Sequence, residues 1–367
     1  MIPTMLSLAF VTMNTSYQNN RDALTATAIA CIPGKDVAIV DASTFVILRG
    51  KSLEFYDARS AAKQRSIDLD SEYTSILDTR RSGRTILLQR GGLSITALDI
   101  LNDTNSLIHS DDEPILEIRQ VGSSSAPDGL YCYRTSRGLI SISLKGMDKW
   151  SSPSNAMPSF QNANEDIICS ALGSCGEDGE YVGIYSAKGR SDATWRACIT
   201  GKDQKPLLSE AVPRQCGEPR HVAATIRNKG EYDIGVTGDK CVMFFSKEKW
   251  VAHSDLESAP RAIEYSKHLD VFCVSVGNSV LLFRGEQIVG SIRDFKGECT
   301  RIVCLDDMRR IGIVTEKDAT RNIRIYTIKW SQISRRPTGR TSRPVSRNAA
   351  DPTLRECPCV ARPLDLP

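Results

Sequence analysis

Histidine is almost missing from this chain, with four residues in 367. That scarcity leaves little room for imidazole catalysis or for a histidine metal site. Long apolar runs are missing too. No stretch approaches the roughly 18 residues that a membrane-spanning helix needs. The N-terminal run Met5–Val11 is short, and no basic residue precedes Arg21, so the basic n-region of a secretory signal is lacking. An excess of one charge is also missing. Lys and Arg total 47 against 44 Asp and Glu, a net charge of +3. No whole-molecule field therefore favours general nucleic-acid binding.

The motifs of several enzyme classes are absent. A phosphate loop needs Gly, four residues, then Gly-Lys-Ser/Thr, so that backbone amides cradle the phosphates. Gly50-Lys51-Ser52 has Phe45 at the first Gly position and falls in a hairpin. There is no G-x-S-x-G elbow, no H-E-x-x-H and no paired C-x-x-C. The acidic clusters Asp111-Asp112-Glu113 and Asp306-Asp307 lack the alternating oxygen ligands of a calcium loop. No cofactor and no metal is implied.

The 12 cysteines are not a disulfide framework in a chain of this size. Cys132, Cys169, Cys241 and Cys273 stand inside apolar runs, where cysteine acts as a small core hydrophobe. This usage predicts a reduced compartment, cytoplasmic or nuclear. Cys357 and Cys359 form a Cys-Pro-Cys pair near the C-terminus with no further ligand close by.

Helical periodicity is hard to find. Short runs with period two are separated by Gly, Asp, Asn and Ser, the pattern of an all-β fold. The strands themselves repeat in groups of four. Ser75–Arg80, Arg84–Arg90, Leu93–Ile100 and Asn105–His109 read as one antiparallel meander with a Gly91-Gly92 hairpin turn. First strands of such units start at Asp36, Ser75, Ile115, Ile167, His221, Arg261 and Thr300. The intervals are 39, 40, 52, 54, 40 and 39 residues, and four of the six match the period of propeller blades. The seventh unit, ending near Trp330, lacks a fourth strand, and an orphan strand at Leu24–Ile32 precedes the first. A ring must close to remove its edges, so the N-terminal strand is predicted to complete the last blade.

Third strands SLEFYDARS (Ser52–Ser60), LSITALDIL (Leu93–Leu101) and NIRIYTIKW (Asn322–Trp330) resemble those of WD40-type repeats. So do the runs VTEKDATRNIRIY and VTGDKCVMFF, the second carrying Asp239 in its turn. His109 and His253 stand near the place of that family's Gly-His pair, although no Gly precedes them and no Trp-Asp dipeptide occurs. The chain thus resembles a divergent WD40-like propeller. The resemblance implies an all-β, seven-bladed β-propeller of four-stranded antiparallel blades over residues 22–330. It also implies structural roles within the blades for His109, His253 and Asp239.

The flanks differ from the ring. Residues 1–21 read as a tail. Residues 331–367 are rich in Arg, Pro and Ser; from Ser334 onward seven Arg face three acids, giving +4, while the rest of the chain carries −1. Such a composition cannot bury a core and is expected to be disordered. Arg335, Arg336, Arg340, Arg343 and Arg347 alternate with Ser, Thr and Pro and suit an acidic partner. Extra length at Gly146–Asp166 and Lys202–Arg220 predicts long loops on a face of the ring.

With no catalytic constellation, the expected function is a non-catalytic protein-interaction scaffold, a subunit of a multiprotein assembly. Trp150 and Trp250, each following a Lys near a third-to-fourth strand junction, are candidate partner anchors. Two alternatives stay open. One is a phosphoinositide-binding propeller, since Phe283-Arg284-Gly285 is one Arg short of the Phe-Arg-Arg-Gly motif of such proteins. The other is an enzyme with its site in the central channel.

Overall fold

The computed structural model describes residues 22–41, 43–79, 85–110, 114–121, 130–134, 139–143, 167–175, 180–187, 194–201, 206–228, 231–253, 256–285, 287–293, 295–305 and 309–332. Within them the chain forms 27 strands and one 3₁₀ turn.

The strands fall into seven blades, as the forty-residue period predicts. Blade one is the meander β2 (Asp36–Asp41), β3 (Thr44–Arg49), β4 (Ser52–Asp57) and β5 (Lys63–Asp68). Blade two follows with β6 (Ser75–Thr79), β7 (Thr85–Arg90), β8 (Ser94–Asp99) and β9 (Thr104–Ser110). Blade three shows β10 (Glu117–Val121), β11 (Leu130–Arg134) and β12 (Leu139–Ser143); the expected fourth strand near Trp150 lies outside the described residues.

Blade four holds β13 (Ile167–Cys175), β14 (Glu180–Ala187), β15 (Arg196–Thr200) and β16 (Pro206–Ala211). Blade five holds β17 (His221–Asn228), β18 (Glu231–Thr237), β19 (Val242–Ser246) and β20 (Lys249–His253). Blade six holds β21 (Pro260–Ser266), β22 (Val271–Val276), β23 (Ser279–Arg284) and β24 (Gln287–Ile292). Blade seven is β25 (Glu298–Leu305), β26 (Arg310–Lys317) and β27 (Thr320–Gln332), completed on the outside by β1 (Asp22–Pro33).

The closure is the one predicted, but the ladder is longer than expected. β1 and β27 pair antiparallel from Asp22 opposite Gln332 to Pro33 opposite Asn322. β26 stops pairing at Thr327, so the ends of β1 and β27 continue past it as a two-stranded ribbon. Leu24, Ile328 and Trp330 on that ribbon pack into the apolar cluster shared by blades six and seven, which explains why the strands do not end with the blade.

The core is a set of blade-to-blade interfaces. One cluster joins Val46, Leu48 and Phe55 of blade one to Ile76, Ile86 and Leu98 of blade two. Others join blades seven and one, four and five, five and six, and six and seven. An inner strand is therefore covered on both faces and buries successive residues. β3, β4, β7 and β23 each bury four in a row, and β22 buries all six. Strict period two, the sequence expectation, gives way to continuous apolar runs here. The outer strand β5 has one covered face and exposes most of its residues.

First strands touch in order around the ring, with β25 returning to β2. Between blades four and five the approach reaches backbone pairing, Cys175 of β13 lying parallel to Ala224 of β17. Gly173 permits this, because a Cβ there would stand 2.0 Å from the Val222 carbonyl oxygen. Part of the second predicted loop is ordered structure: β16 and the 3₁₀ turn Arg214–Cys216 occupy it. The first, Gly146–Asp166, lies outside the described residues.

Candidate functional site

The seven first strands enclose a cavity of about 440 Å³. Each contributes at least one residue: Ile39, Ser75, Glu117, Leu172, His221, Arg261 and Arg301. The charges on this wall are both positive and negative, so the cavity has no dominant sign.

Most of these polar groups join blades. Arg301 of blade seven forms an ion pair with Asp36 of blade one, and its Nη1 donates to the Ile76 carbonyl of blade two at 2.7 Å. Asp36 in turn accepts the Ile76 N–H at 2.8 Å and the Val37 N–H at 2.9 Å. One buried carboxylate thus ties three blades at the seam where the chain closes. Glu117 does similar work between blades three and four, accepting Arg134 Nε at 3.0 Å and the Leu172 N–H at 2.7 Å. Gln89 joins blades two and three: its amide donates to the Ile115 carbonyl at 2.7 Å, and its carbonyl accepts the Ser75 hydroxyl at 2.7 Å. His221 and Glu264 also line the cavity and are engaged. Acid–base chemistry needs groups that converge on a reactant with protons to give or take; here they converge on one another.

The rim differs from the wall. Blade-to-blade connections and second-to-third strand turns share one face of the ring, which we call the connection face. On it Leu116, at the cavity mouth, is 49 % exposed and Leu93 is 40 % exposed. They are neighbours, because the Ile115 N–H donates to the Gly92 carbonyl at 2.8 Å. The same face carries ion pairs at other blade edges: Lys35 with Glu72, Arg220 with Asp239 at 2.7 Å, and Arg261 with Glu298 at 2.6 Å. An apolar spot beside a cavity mouth, on a face that elsewhere carries exposed ion pairs, fits a protein interface.

The residues singled out in the sequence are scattered. Trp250 is half-buried on β20, its ring 5.3 Å from that of Phe245. Trp150, and Arg335, Arg336, Arg340, Arg343 and Arg347, lie outside the described residues. His109 and His253 fall near the ends of the outer strands β9 and β20, opposite Ile95 and Val242 in register, with their side chains outside the described set. Asp239 sits in the β18–β19 turn and holds Arg220.

Arg284 lies on the opposite face, at the β23–β24 turn. Its guanidinium stacks 4.3 Å over the Trp330 ring and faces Asp270 at 3.6 Å. Asp270 also pairs with Arg227 at 3.0 Å and accepts the Tyr265 hydroxyl at 2.7 Å. Burial, then the bond to Asp270, pushes the Tyr265 phenol above its usual range. Phe283 is fully buried and Gly285 turns the chain. The Phe-Arg-Gly triplet is thus an inward aromatic, an outward charge and a turn, and the charge is held by partners from its own ring. Sequence reading missed Leu93, Leu116, Asp36 and Arg301. Only Leu93 carried a signal, an apolar residue directly after the Gly91-Gly92 turn.

No protein-family model matches the chain, and no curated protein is similar to it in sequence. Among solved structures, the chain is similar to the β-propeller domain of Cps50 (Swd1) from Myceliophteria thermophila. The identity is 13%, the TM-score 0.58, and the match covers 81% of this chain and 98% of that one. At this identity the likeness defines the fold alone: the chain is a β-propeller. Among the described residues no helix is long and apolar enough to cross a membrane.

Proposed function

We propose that this protein is a non-catalytic interaction scaffold whose partner seats on the connection face, over Leu93 and Leu116. The observation that carries this reading is the contrast between wall and rim. Polar groups of the cavity wall bind neighbouring blades, whereas Leu116 at its mouth and Leu93 beside it lie open to solvent on a face that also carries exposed ion pairs. Desolvating such a pair of leucines contributes roughly 25 cal/mol per Å² of apolar surface, and the charged rim orients the partner.

Affinity capture with three forms of the full chain tests the reading: wild type, Leu93→Asp with Leu116→Asp, and Leu101→Asp. Leu101 is 70 % exposed on the opposite face and serves as the control. Partners that survive Leu101→Asp and are lost from the double variant support this face. Stoichiometric partners indifferent to the double variant remove it. The Arg-rich tail supplies a second, salt-sensitive contact to an acidic partner; truncation after Ser331 should abolish that contact and leave the first intact.

A further inference from the structure

Cys216 ends the 3₁₀ turn that leads from β16 towards β17. Cys241 stands at the foot of β19, where the β18–β19 turn closes on the connection face. The Cys241 thiol is turned onto the backbone that carries Cys216. Cys241 Sγ lies 3.5 Å from the Cys216 carbonyl oxygen and 3.8 Å from that of Gln215. The approach is built into the backbone. A Cβ on Gly238 would stand 1.8 Å from the Cys216 carbonyl oxygen and 2.9 Å from its Sγ, so only glycine lets the turn settle on that residue. Cys216 is 1 % exposed and Cys241 7 %, while Asp239 and Lys240 beside them are open to solvent.

The ionisation of this pair differs from that of other buried thiols. Burial pushes Cys175 up to about 12 and Cys299 up to about 12. Cys241 moves the other way. The Cys216 thiol donates to it and the Gly238 N–H adds to this, together outweighing burial and the nearby Asp239 carboxylate. The thiolate is the nucleophilic form, so Cys241 is the attacking sulfur of the pair.

We propose that Cys216 and Cys241 are a reversible disulfide site, oxidised by a low-molecular-weight disulfide such as glutathione disulfide. The Cys241 thiolate attacks one sulfur of that disulfide, its S–S bond breaks, and one glutathione thiolate leaves. Cys216 then gives up its proton and attacks the Cys241 sulfur of the mixed disulfide, displacing the second glutathione. Two protein thiols become one disulfide, and one glutathione disulfide becomes two glutathione molecules. The new bond closes a 25-residue separation. It pins the β16–β17 connection to the β18–β19 turn, beside the His221 and Val222 edge of the cavity.

The chain carries its own control. Cys273 and Cys304 lie 3.9 Å apart between blades six and seven, but both belong to strands packed in the shared apolar cluster of those blades. Their strands cannot shift without opening the blade interface, so this pair should stay reduced.

The test is a titration of the folded full chain with graded glutathione disulfide-to-glutathione ratios. Free thiols are then blocked and peptides read by mass spectrometry. The expected result is a Cys216–Cys241 cross-linked peptide that grows with the ratio and disappears with dithiothreitol. In Cys216→Ser protein a glutathione adduct should remain on Cys241; in Cys241→Ser protein the cross-link should be lost and Cys216 stay reduced. Absence of the cross-link at every ratio in folded wild type overturns the proposal. So does a cross-link that forms only in denaturant, or only after Cys273–Cys304 has oxidised. The wild-type titration decides the matter even if a serine variant fails to fold.

Discussion

Replacing Arg301 by methionine keeps an unbranched stem and deletes the guanidinium at the ring seam. The Asp36 carboxylate then stays in place, 5 % exposed, with only the Val37 and Ile76 N–H groups as donors. Removing one partner of a fully buried ion pair costs about 3–5 kcal/mol. Arg301 is one-third exposed, at 33%, and two backbone donors persist, so about 2–3 kcal/mol is the appropriate figure. Unfolding entropy is about 2.1 cal/mol/K per residue, which for a ring from Asp22 to Gln332 sums to roughly 0.65 kcal/mol/K. The melting temperature should therefore fall by about 3–5 °C.

Thermal scans by near-ultraviolet circular dichroism, at one fixed scan rate, read this shift. Arg261→Met is the comparison. Its pair with Glu298 has both side chains more than half exposed, 52% and 55%, and should move the midpoint by no more than about 1 °C. Adding Asp36→Asn to Arg301→Met should recover about 1–2 kcal/mol relative to the sum of the single effects, because no unpaired charge remains. If Arg301→Met melts with the wild type, or matches Arg261→Met, or combines additively with Asp36→Asn, the seam network is not what holds the closure.

Other outcomes follow from the same contacts. Gly173→Ala sets a Cβ against the Val222 carbonyl; the urea midpoint should drop by the equivalent of about 2 kcal/mol or more, with faster amide exchange in β13 and β17. Glu54 is buried, which opposes ionisation, but Lys63, Tyr56 and Arg49 outweigh this and hold its carboxyl below the ordinary 4.5. A lowered folded value means stability present above the unfolded value and lost as pH falls through the folded one. Glu54→Gln should therefore be less stable than wild type by about 1 kcal/mol at pH 7, with the gap closing in acid below the ordinary value, as urea titrations across pH would show. Arg284→Ala removes the cation over Trp330 and should cost about 0.5–1 kcal/mol while shifting the indole emission; unchanged fluorescence would mean the stack does not persist in solution.

The sequence carried the ring because repetition is a local signal. Turn residues recur at a near-constant interval, and each meander is read from its own forty residues. The orphan strand before Asp36 followed from closure alone. Strand ends were less legible. β13 runs on to Cys175 because a glycine lets it touch the next blade, and β1 and β27 run long because their far ends find an apolar partner in blade six. Neither reason is visible in a window of ten residues. The seam was invisible for a stronger reason: Arg301 and Asp36 are separated by 265 positions and become neighbours only once the ring exists. The apolar spot at Leu93 and Leu116 is likewise assembled by a turn and a connection, and isolated leucines in a sequence do not announce exposure. The thiol pair arises in the same way, from a connection folding under a glycine turn.

The ladder between β1 and β27 has a consequence for the order in which the molecule assembles. Thr25 bonds to Lys329 across 304 residues, so a strand made before blade one waits for one made after blade six. Closing a loop of that length is slow in search time, although its entropy grows only logarithmically. In the interval β1 is an uncharged segment from Ala23 to Pro33, the composition that seeks any free edge. Blades one to six can form as they are made, but the seventh cannot, and its waiting strands are the ones most open to pairing with another copy. A circular permutant opened in the segment between β12 and β13 would turn this last, distant event into a local hairpin and should refold faster with less aggregate.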